Sequence, residues 1–415
     1  MKNQYFALLD IGGTDVKSSI YLTERDEISF LKRSKTPNLL KPSEIKRELD
    51  PYVLLKEIYT HLTEIKSMNI AISGLLVSGQ MGGWITTTES NKPLSNIISW
   101  QDLRSTIKRD SINIDPISIQ LNGGESRAGL PIFGLLSDYQ ESKFTDKIRF
   151  HTLTSFVAAS LSRDYQYLIH KTDIASSGLY NIYDNSYFLD LIKELSIKIC
   201  LPEVCESLTP IGYSDFLNCA VYTPVGDQQA SLYGARLDKN SMVINIGTGG
   251  QVSKIYDGKI TKNQVRPYFF GEKIETITHL PAGRLIDFIV ELSTEEKAND
   301  KDFKEFYNSE PIENSRTNLN LIEFEQCIKV LERDFSHYAP DLFPETSNTI
   351  IKYYLNTIDS LEISDIDRIV FVGGVGHNYK MLHKKVKDKY NIEIQVPNLE
   401  ESTLQGLGYL SSSIS

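Results

Sequence analysis

The strongest pattern in the chain is an apolar run, a glycine-rich turn and a second apolar run, and it occurs twice. Near the N-terminus, Tyr5 to Leu9 leads through Asp10 into Ile11-Gly12-Gly13-Thr14, and Val16 to Tyr21 follows. In the second half, Met242 to Asn245 leads into Ile246-Gly247-Thr248-Gly249-Gly250, and Gln251 to Ile255 follows. Each copy predicts a strand, a tight turn and a strand. Glycine admits φ > 0 and close approach, so either turn can aim backbone amides at an anion. One such turn alone is equally an ordinary hairpin. Two, about half a chain apart, predict a duplicated, two-lobed fold.

Other patterns fill in the α/β picture. Ile70 to Val77 predicts a buried strand that ends in Ser78-Gly79-Gln80-Met81-Gly82-Gly83. Pro42 to Lys66, Phe150 to Leu161 and Phe188 to Ile199 carry helical apolar spacing. Residues 284 to 360 are mostly helical in pattern, with Asp/Lys-rich loops near 295 to 303. Arg368 to Val372 is another apolar strand, and it runs into Gly373-Gly374-Val375-Gly376-His377-Asn378. The charged stretch Asp238-Lys239-Asn240 marks the boundary, giving lobes of residues 1–238 and 239–415.

Composition narrows the function. A chain of 415 residues can bury two cores, and 40% apolar with 24% charged residues is a globular balance. A net charge of −10, with no basic stripe, argues against nucleic acid as a partner. No apolar stretch reaches the ~18 residues of a membrane span, and no export signal is evident, so a cytoplasmic protein is expected. Cys200, Cys205, Cys219 and Cys327 lack zinc-ligand spacing and read as reduced thiols. The sequence contains neither G-x-x-x-x-G-K-[ST] nor a G-x-G-x-x-G after a strand, which disfavours P-loop and dinucleotide-binding folds.

Two carboxylates stand beside these turns. Asp10 ends the first strand directly before its glycines. It reads either as a Mg²⁺ ligand, directly or through water, or as a residue that initiates the turn. Asp227, in Val225-Gly226-Asp227-Gln228-Gln229-Ala230, sits where a short strand gives way to a helix, twenty residues before the second turn. It reads either as a helix cap or as an acid–base group.

Taken together, these segments resemble the FGGY family of carbohydrate kinases from Asp10 to the last helix. Asp10-Ile-Gly-Gly-Thr14-Asp-Val-Lys17 is similar to the family's first phosphate motif, and Gly247-Thr248-Gly249 to its second. Gly226-Asp227-Gln228-Gln229-Ala230 looks like its catalytic-base motif, and Gly373 to Asn378 like its adenosine-flanking turn. Sedoheptulokinases are nearest, with xylulokinases and ribulokinases close, on Val77 to Met81, Ser99-Trp100-Gln-Asp102-Leu-Arg104, Lys171 to Gly178 and Arg266-Pro-Tyr-Phe269. The resemblance implies a two-lobed actin-like, ribonuclease H-like ATPase fold with a duplicated core and an interlobe cleft.

It also implies the site. Asp227 is the catalytic base. ATP lies against Gly12, Gly13, Thr14, Lys17, Gly247, Thr248, Gly249, Gly250, Gly373, Gly374 and Asn378. The sugar lies against Gln80, Met81, Trp100, Asp102, Arg104, Asp227 and Gln228, and Mg²⁺ is held by Asp10 and Asp227. Arg127, in Gly123-Gly124-Glu-Ser-Arg127-Ala-Gly129, reads as a solvated loop charge sooner than as a residue entering the cleft. Asp102 and Arg104, two apart, would share a face of an extended strand. The expected partners are a sugar, most of all a ketose such as sedoheptulose, and ATP, with the chain a monomer or homodimer. A pentulose, polyol or glycerol as acceptor, a non-catalytic sugar- or nucleotide-binding regulator, and a sugar-independent ATPase are the alternatives. One departure bears on the acceptor: Gly82 stands where ketose kinases commonly carry His. The chain is also shorter than typical members, mainly in its second half.

Overall fold

The computed structural model describes the chain except residues 1–3, 42, 44, 107–115, 128, 142–147, 195–198, 259–260, 294–298, 311–341, 399–400 and 415. By internal contacts it divides into two units. The first comprises Met1–Arg236, Asp257–Lys273 and Glu401–Ser415, and the second Leu237–Tyr256 and Ile274–Glu400. The sequence reading drew one boundary at residue 238. The chain in fact returns twice to the first unit.

In the first unit Tyr5–Ile11 (β1) and Asp15–Leu22 (β2) form the expected hairpin, and Glu27–Lys35 (β3) extends it. Pro51–Ser67 (α1) is followed by Ile72–Gly79 (β4), which lies parallel to β1. Pro210–Ser214 (β5), Cys219–Tyr222 (β6) and Val225–Gly226 (β7) complete the sheet, in the order β5-β6-β4-β1-β2-β3 with β7 also on β4. From Phe6 onward β1 is buried on both faces, as its unbroken apolar run requires of a central strand. Leu54, Ile58, Leu62 and Ile65 recur on one face of α1 and join Leu9, Val16, Ile20 and Val77 in one core.

Asp227–Gly234 (α2) leaves β7 and packs against Ser402–Ser411 (α7), with Ser231 and Ser402 hydroxyls 2.7 Å apart.

The second unit repeats the plan. Ser241–Ile246 (β8) and Gly250–Tyr256 (β9) form a hairpin, flanked by Lys273–Leu280 (β10). Arg368–Val372 (β11) lies parallel to β8, and Glu393–Gln395 (β12) parallel to β11. Gly283–Ser293 (α3), Asp300–Asn308 (α4) and Leu342–Ser360 (α5) pack over this sheet with Ile286, Ile289, Phe306, Tyr354 and Phe371 at the core. Gly374–Asn378 (α6) follows β11.

Several boundaries differ from the sequence reading, and each has a local cause. Helix α1 begins at Pro51, because Asp50 accepts from the Tyr52 and Val53 amides and Pro51 takes the first turn. Phe150–Leu161 splits into a strand, Ile148–Thr152, and a helix, Leu153–Ser160, with Thr152 capping the Ser155 amide. Of the third span, Leu189–Glu194 is helical and Ile199 begins a short strand, Ile199–Cys200, while residues 195–198 lie outside the described residues. The loop expected up to residue 303 is helical from Asp300, because Asn299 and Asp302 form a reciprocal capping box. Gly373 caps a short helix where a turn was expected.

Candidate active site

Asp10 and Asp173 are buried in the first unit, and Asp227, which both influence, is half-buried. Asp10, at the end of β1, faces Lys17 across the hairpin and Ser78 on β4, whose hydroxyl donates to Oδ1 at 3.1 Å. Burial pushes its pKa above the usual range, against the pull of Lys17 and the Ser78 bond. Lys17 is itself held 2.7 Å from Glu401, which also pairs with Arg33. Asp227 opens α2. The N-cap is Gly226, so Asp227 is the first helical residue and does not cap; its Oδ1 accepts instead from the Gln228 amide at 2.8 Å. Burial first, and then the nearby Asp10 charge, push Asp227 up to about 7, while Arg266 pulls the other way. Asp173, buried behind them, accepts from Thr152 and Thr154 at 2.7 and 2.8 Å and is also pushed by burial to about 7.

Arg266, which acts on Asp227, begins a ring of contacts. Arg266 donates to the Gln228 side chain, lies 3.3 Å from Glu125 Oε1 and points Nη1 at Met81 Sδ, 3.9 Å away. Glu125 also receives Arg127 Nε at 2.8 Å, and the Arg127 guanidinium lies 5.6 Å from the Trp100 ring centroid. Arg127 is therefore a packed member of this ring and not the solvated loop charge expected. A Cβ placed on Gly13 would lie 3.4 Å from Gln80 Oε1 and 4.0 Å from Trp100 Nε1, which sets both side chains beside the first glycine turn.

Asp102 and Arg104 lie in a turn and not on the strand expected, because the Asp102 amide closes back on Ser99 O. The buried Asp102 carboxylate accepts from the Arg47 amide at 2.7 Å, the Arg104 amide at 3.0 Å and Arg104 Nε at 2.8 Å. Glu48 holds Arg104 Nη2 at 2.5 Å. The pair thus braces the turn that carries Trp100.

The glycine turns differ in their surroundings. In the first, the Gly12 amide is used inside the turn on Asp15 O at 2.9 Å, which leaves Gly13 and Thr14 at the exposed tip. The second opens on a cavity of about 1010 Å³, all of whose lining residues belong to the second unit. Gly247, Thr248, Gly374 and Asn378 line it as the sequence reading expects of nucleotide residues. Gly249, Gly250 and Gly373 do not; Gly250 is the buried first residue of β9. Asp287, Phe303 and Tyr307 line it too and were not singled out, since only a helical pattern marked their segment. His377 is exposed on α6.

The chain matches the model of the N-terminal domain of the FGGY family of carbohydrate kinases over residues 5–218, more than half its length. It belongs to that family. A glycerol kinase from Petrotoga mobilis is 28% identical over 180 residues, 40% of this chain and 36% of that one. A glycerol kinase from Burkholderia cenocepacia is 24% identical over 276 residues, 60% and 53%. The chain thus spans about half, or less, of the curated relatives it matches. Among solved structures, gluconate kinase from Lactobacillus acidophilus superposes with TM-score 0.81 at 15% identity, covering 99% of this chain and 89% of that one. The xylulose kinase of the same organism gives 0.80, also at 15% identity, covering 99% and 90%. These likenesses show the two-domain actin-like ATPase fold. Their names differ in acceptor, so they share the family and not one substrate.

The sequence reading missed Glu125, Glu401 and the part played by Arg266, which it noted only within a segment. Each has a partner far along the chain, Glu125 with Arg266 and Glu401 with Lys17 and Arg33, and spacing carries no sign of such a pairing. Among the described residues no helix is long and apolar enough to cross a membrane, and no group of three His, Cys, Asp or Glu is arranged to hold a metal. Cys200, Cys205 and Cys219 are unbridged; Cys327 lies outside the described residues.

Proposed function

We propose that the chain transfers the γ-phosphoryl group of ATP to a hydroxyl of a small polyhydroxylated acceptor, with Asp227 as general base. The observation that carries this is the half-buried Asp227 carboxylate, pushed up to about 7, at the head of a helix, with the Gln228 amide bonded to it and Arg266 pulling on it. A base poised near the working pH takes a proton most effectively, a contribution of roughly 10²–10⁴ in rate. In the step, the acceptor oxygen forms a bond to γ-phosphorus as the bond to the β-bridging oxygen breaks. The acceptor proton passes to an Asp227 oxygen, and ADP leaves.

Gln80, Trp100 and Gln228 orient the acceptor, and the exposed amides of Gly13 and Thr14 suit developing phosphoryl charge. The cavity beside Gly247 and Gly374 suits adenosine, with Phe303 and Tyr307 as apolar walls. Mg²⁺ fits the first unit, because the buried Asp10 and the half-buried Asp227 are carboxylates close enough for the Asp10 charge to raise Asp227. When bound, the ion would neutralise phosphate charge. Asp10 and Asp227 would hold it or its waters, since this ion takes one or two carboxylates plus phosphates. Sedoheptulose is the ketose that the motifs favour; xylulose, ribulose and glycerol are the neutral alternatives.

The test is ADP release measured with each of these acceptors and with polyhydroxylated carboxylates such as D-gluconate, with Asp227→Ala as control. One acceptor should stimulate turnover and the substitution should abolish it. ATP binding with no acceptor-stimulated turnover would sink the proposal.

A further inference from the structure

The position that distinguishes this chain from the ketose kinases it resembles is not empty. Gly82 has φ +84°, and a Cβ built there would lie 2.7 Å from Arg127 Nη2. No side chain fits without displacing that guanidinium, and the backbone conformation itself favours glycine. Arg127 is steered there by three contacts: Nε to Glu125 at 2.8 Å, Nη1 to Trp100 O at 3.3 Å, and the guanidinium over the Trp100 ring.

Charge decides what this exchange means. Glu125 is a buried carboxylate shared by two guanidinium groups, Arg127 and Arg266, so the three carry a formal surplus of one positive charge. Uncompensated charge in a largely buried site is unfavourable. A neutral acceptor would leave the surplus in place, whereas a carboxylate on the acceptor would neutralise it and suit the planar fork of Arg127.

We propose that Arg127 is a specificity-determining residue, and that the acceptor site of this chain takes a polyhydroxylated carboxylate of the aldonate class. The proposal rests on the kinase reading for its turnover but not for its binding. Arg127 takes the acceptor's carboxylate end, Gln80 and Trp100 line its length, and Asp227 receives the proton of the reacting hydroxyl. Gly82 is required because it leaves the space that Arg127 fills.

D-gluconate and sorbitol share one carbon skeleton and differ at C1, so they isolate the carboxylate. Calorimetric titration of the full chain should show gluconate binding at least tenfold more tightly than sorbitol, the usual scale for a charge-assisted bond. Arg127→Gln should erase that preference, weakening gluconate roughly 10–100-fold while leaving sorbitol within about threefold. Arg127→Lys should recover part of it, and Gly82→Ala should lose it as Arg127 does. Thermal melts of each variant exclude unfolding as the cause. Sorbitol or a neutral ketose bound as tightly as gluconate, or Arg127→Gln weakening both ligands equally, overturns the proposal. Gluconate bound through Arg127 without any ADP release would uphold it and overturn the kinase reading instead.

Discussion

The two hairpins share one backbone plan and differ in charge: the first carries a carboxylate–lysine pair where the second carries two neutral amides. In each, a hairpin strand lies beside a parallel neighbour that ends in glycine, and that glycine meets the carbonyl before the turn. A Cβ on Gly79 would come within 2.8 Å of Ile11 O, and one on Gly373 within 2.5 Å of Ile246 O. Yet the strand position before the turn is Asp10 in the first and Asn245 in the second. Across the hairpin Asp10 faces Lys17, whereas Asn245 faces Gln251. The first hairpin adds Glu401, Asp227 and Arg33 around this pair; the second opens on an uncrowded cavity. Duplication thus preserves the strand–turn–strand geometry and its close glycine approach. The carboxylate–lysine pair beside the turn belongs to one copy only.

The largest expected effect tests that asymmetry at Asp227. Asp227→Asn should lower kcat by roughly 10²–10⁴, because a neutral amide cannot accept the proton. Nucleotide affinity, measured by ADP titration, should change little, since the cavity beside Gly247 belongs to the other copy. The wild-type rate should rise with pH through about 7 as Asp227 ionises, and fall below it as the carboxyl is protonated. The Asn variant's residual rate should show no such rise. A rise surviving in Asp227→Asn would assign the base to another group.

What the copies share was legible in the sequence, and what separates them was only partly so. The apolar runs around Gly12 and Gly247 announced both hairpins, because a buried central strand must be apolar on both faces. Asp10 and Asp227 stood out because a carboxylate at the end of an apolar strand is conspicuous. Glu125 and Glu401 were not legible: each pairs with residues far away in sequence, Glu401 with Lys17 and Arg33, and Glu125 with Arg266. The meaning of Gly82 was half legible. The absent side chain was visible in the sequence, but its replacement by Arg127 depends on a positive φ and a tertiary contact. The return of residues 257–273 and 401–415 to the first unit was hidden for the same reason.

A smaller effect tests the shared geometry. Gly79→Ala and Gly373→Ala should each destabilise by about 1–3 kcal/mol, since each pushes a methyl group into a backbone carbonyl. Gly373→Ala should cost more, because Gly373 also has φ +84° and alanine would be strained there as well as crowded. Urea melts of both variants, with fluorescence and circular dichroism followed together, would measure this. Equal stability of wild type and Gly373→Ala would mean that β8 and β11 do not need the close approach, and the likeness of the two copies would weaken.

The smallest expected effect comes from making the second hairpin resemble the first. Asn245→Asp places a carboxylate beside Gly247, where the facing residue is Gln251 and no lysine balances it. Two like charges a few ångströms apart near a protein surface repel by an amount on the order of 1–4 kcal/mol before salt screening. Affinity for ADP without Mg²⁺ should therefore fall about tenfold and recover partly in high salt. The double variant Asn245→Asp with Gln251→Lys rebuilds the Asp10–Lys17 arrangement and should restore most of the loss, because the new charge then has its cross-strand partner. The opposite result is informative too. If Asn245→Asp leaves ADP affinity unchanged at low salt, the neutrality of the second hairpin has no bearing on nucleotide binding. The asymmetry between the copies would then be a consequence of where the acceptor binds, and not of what each turn must hold.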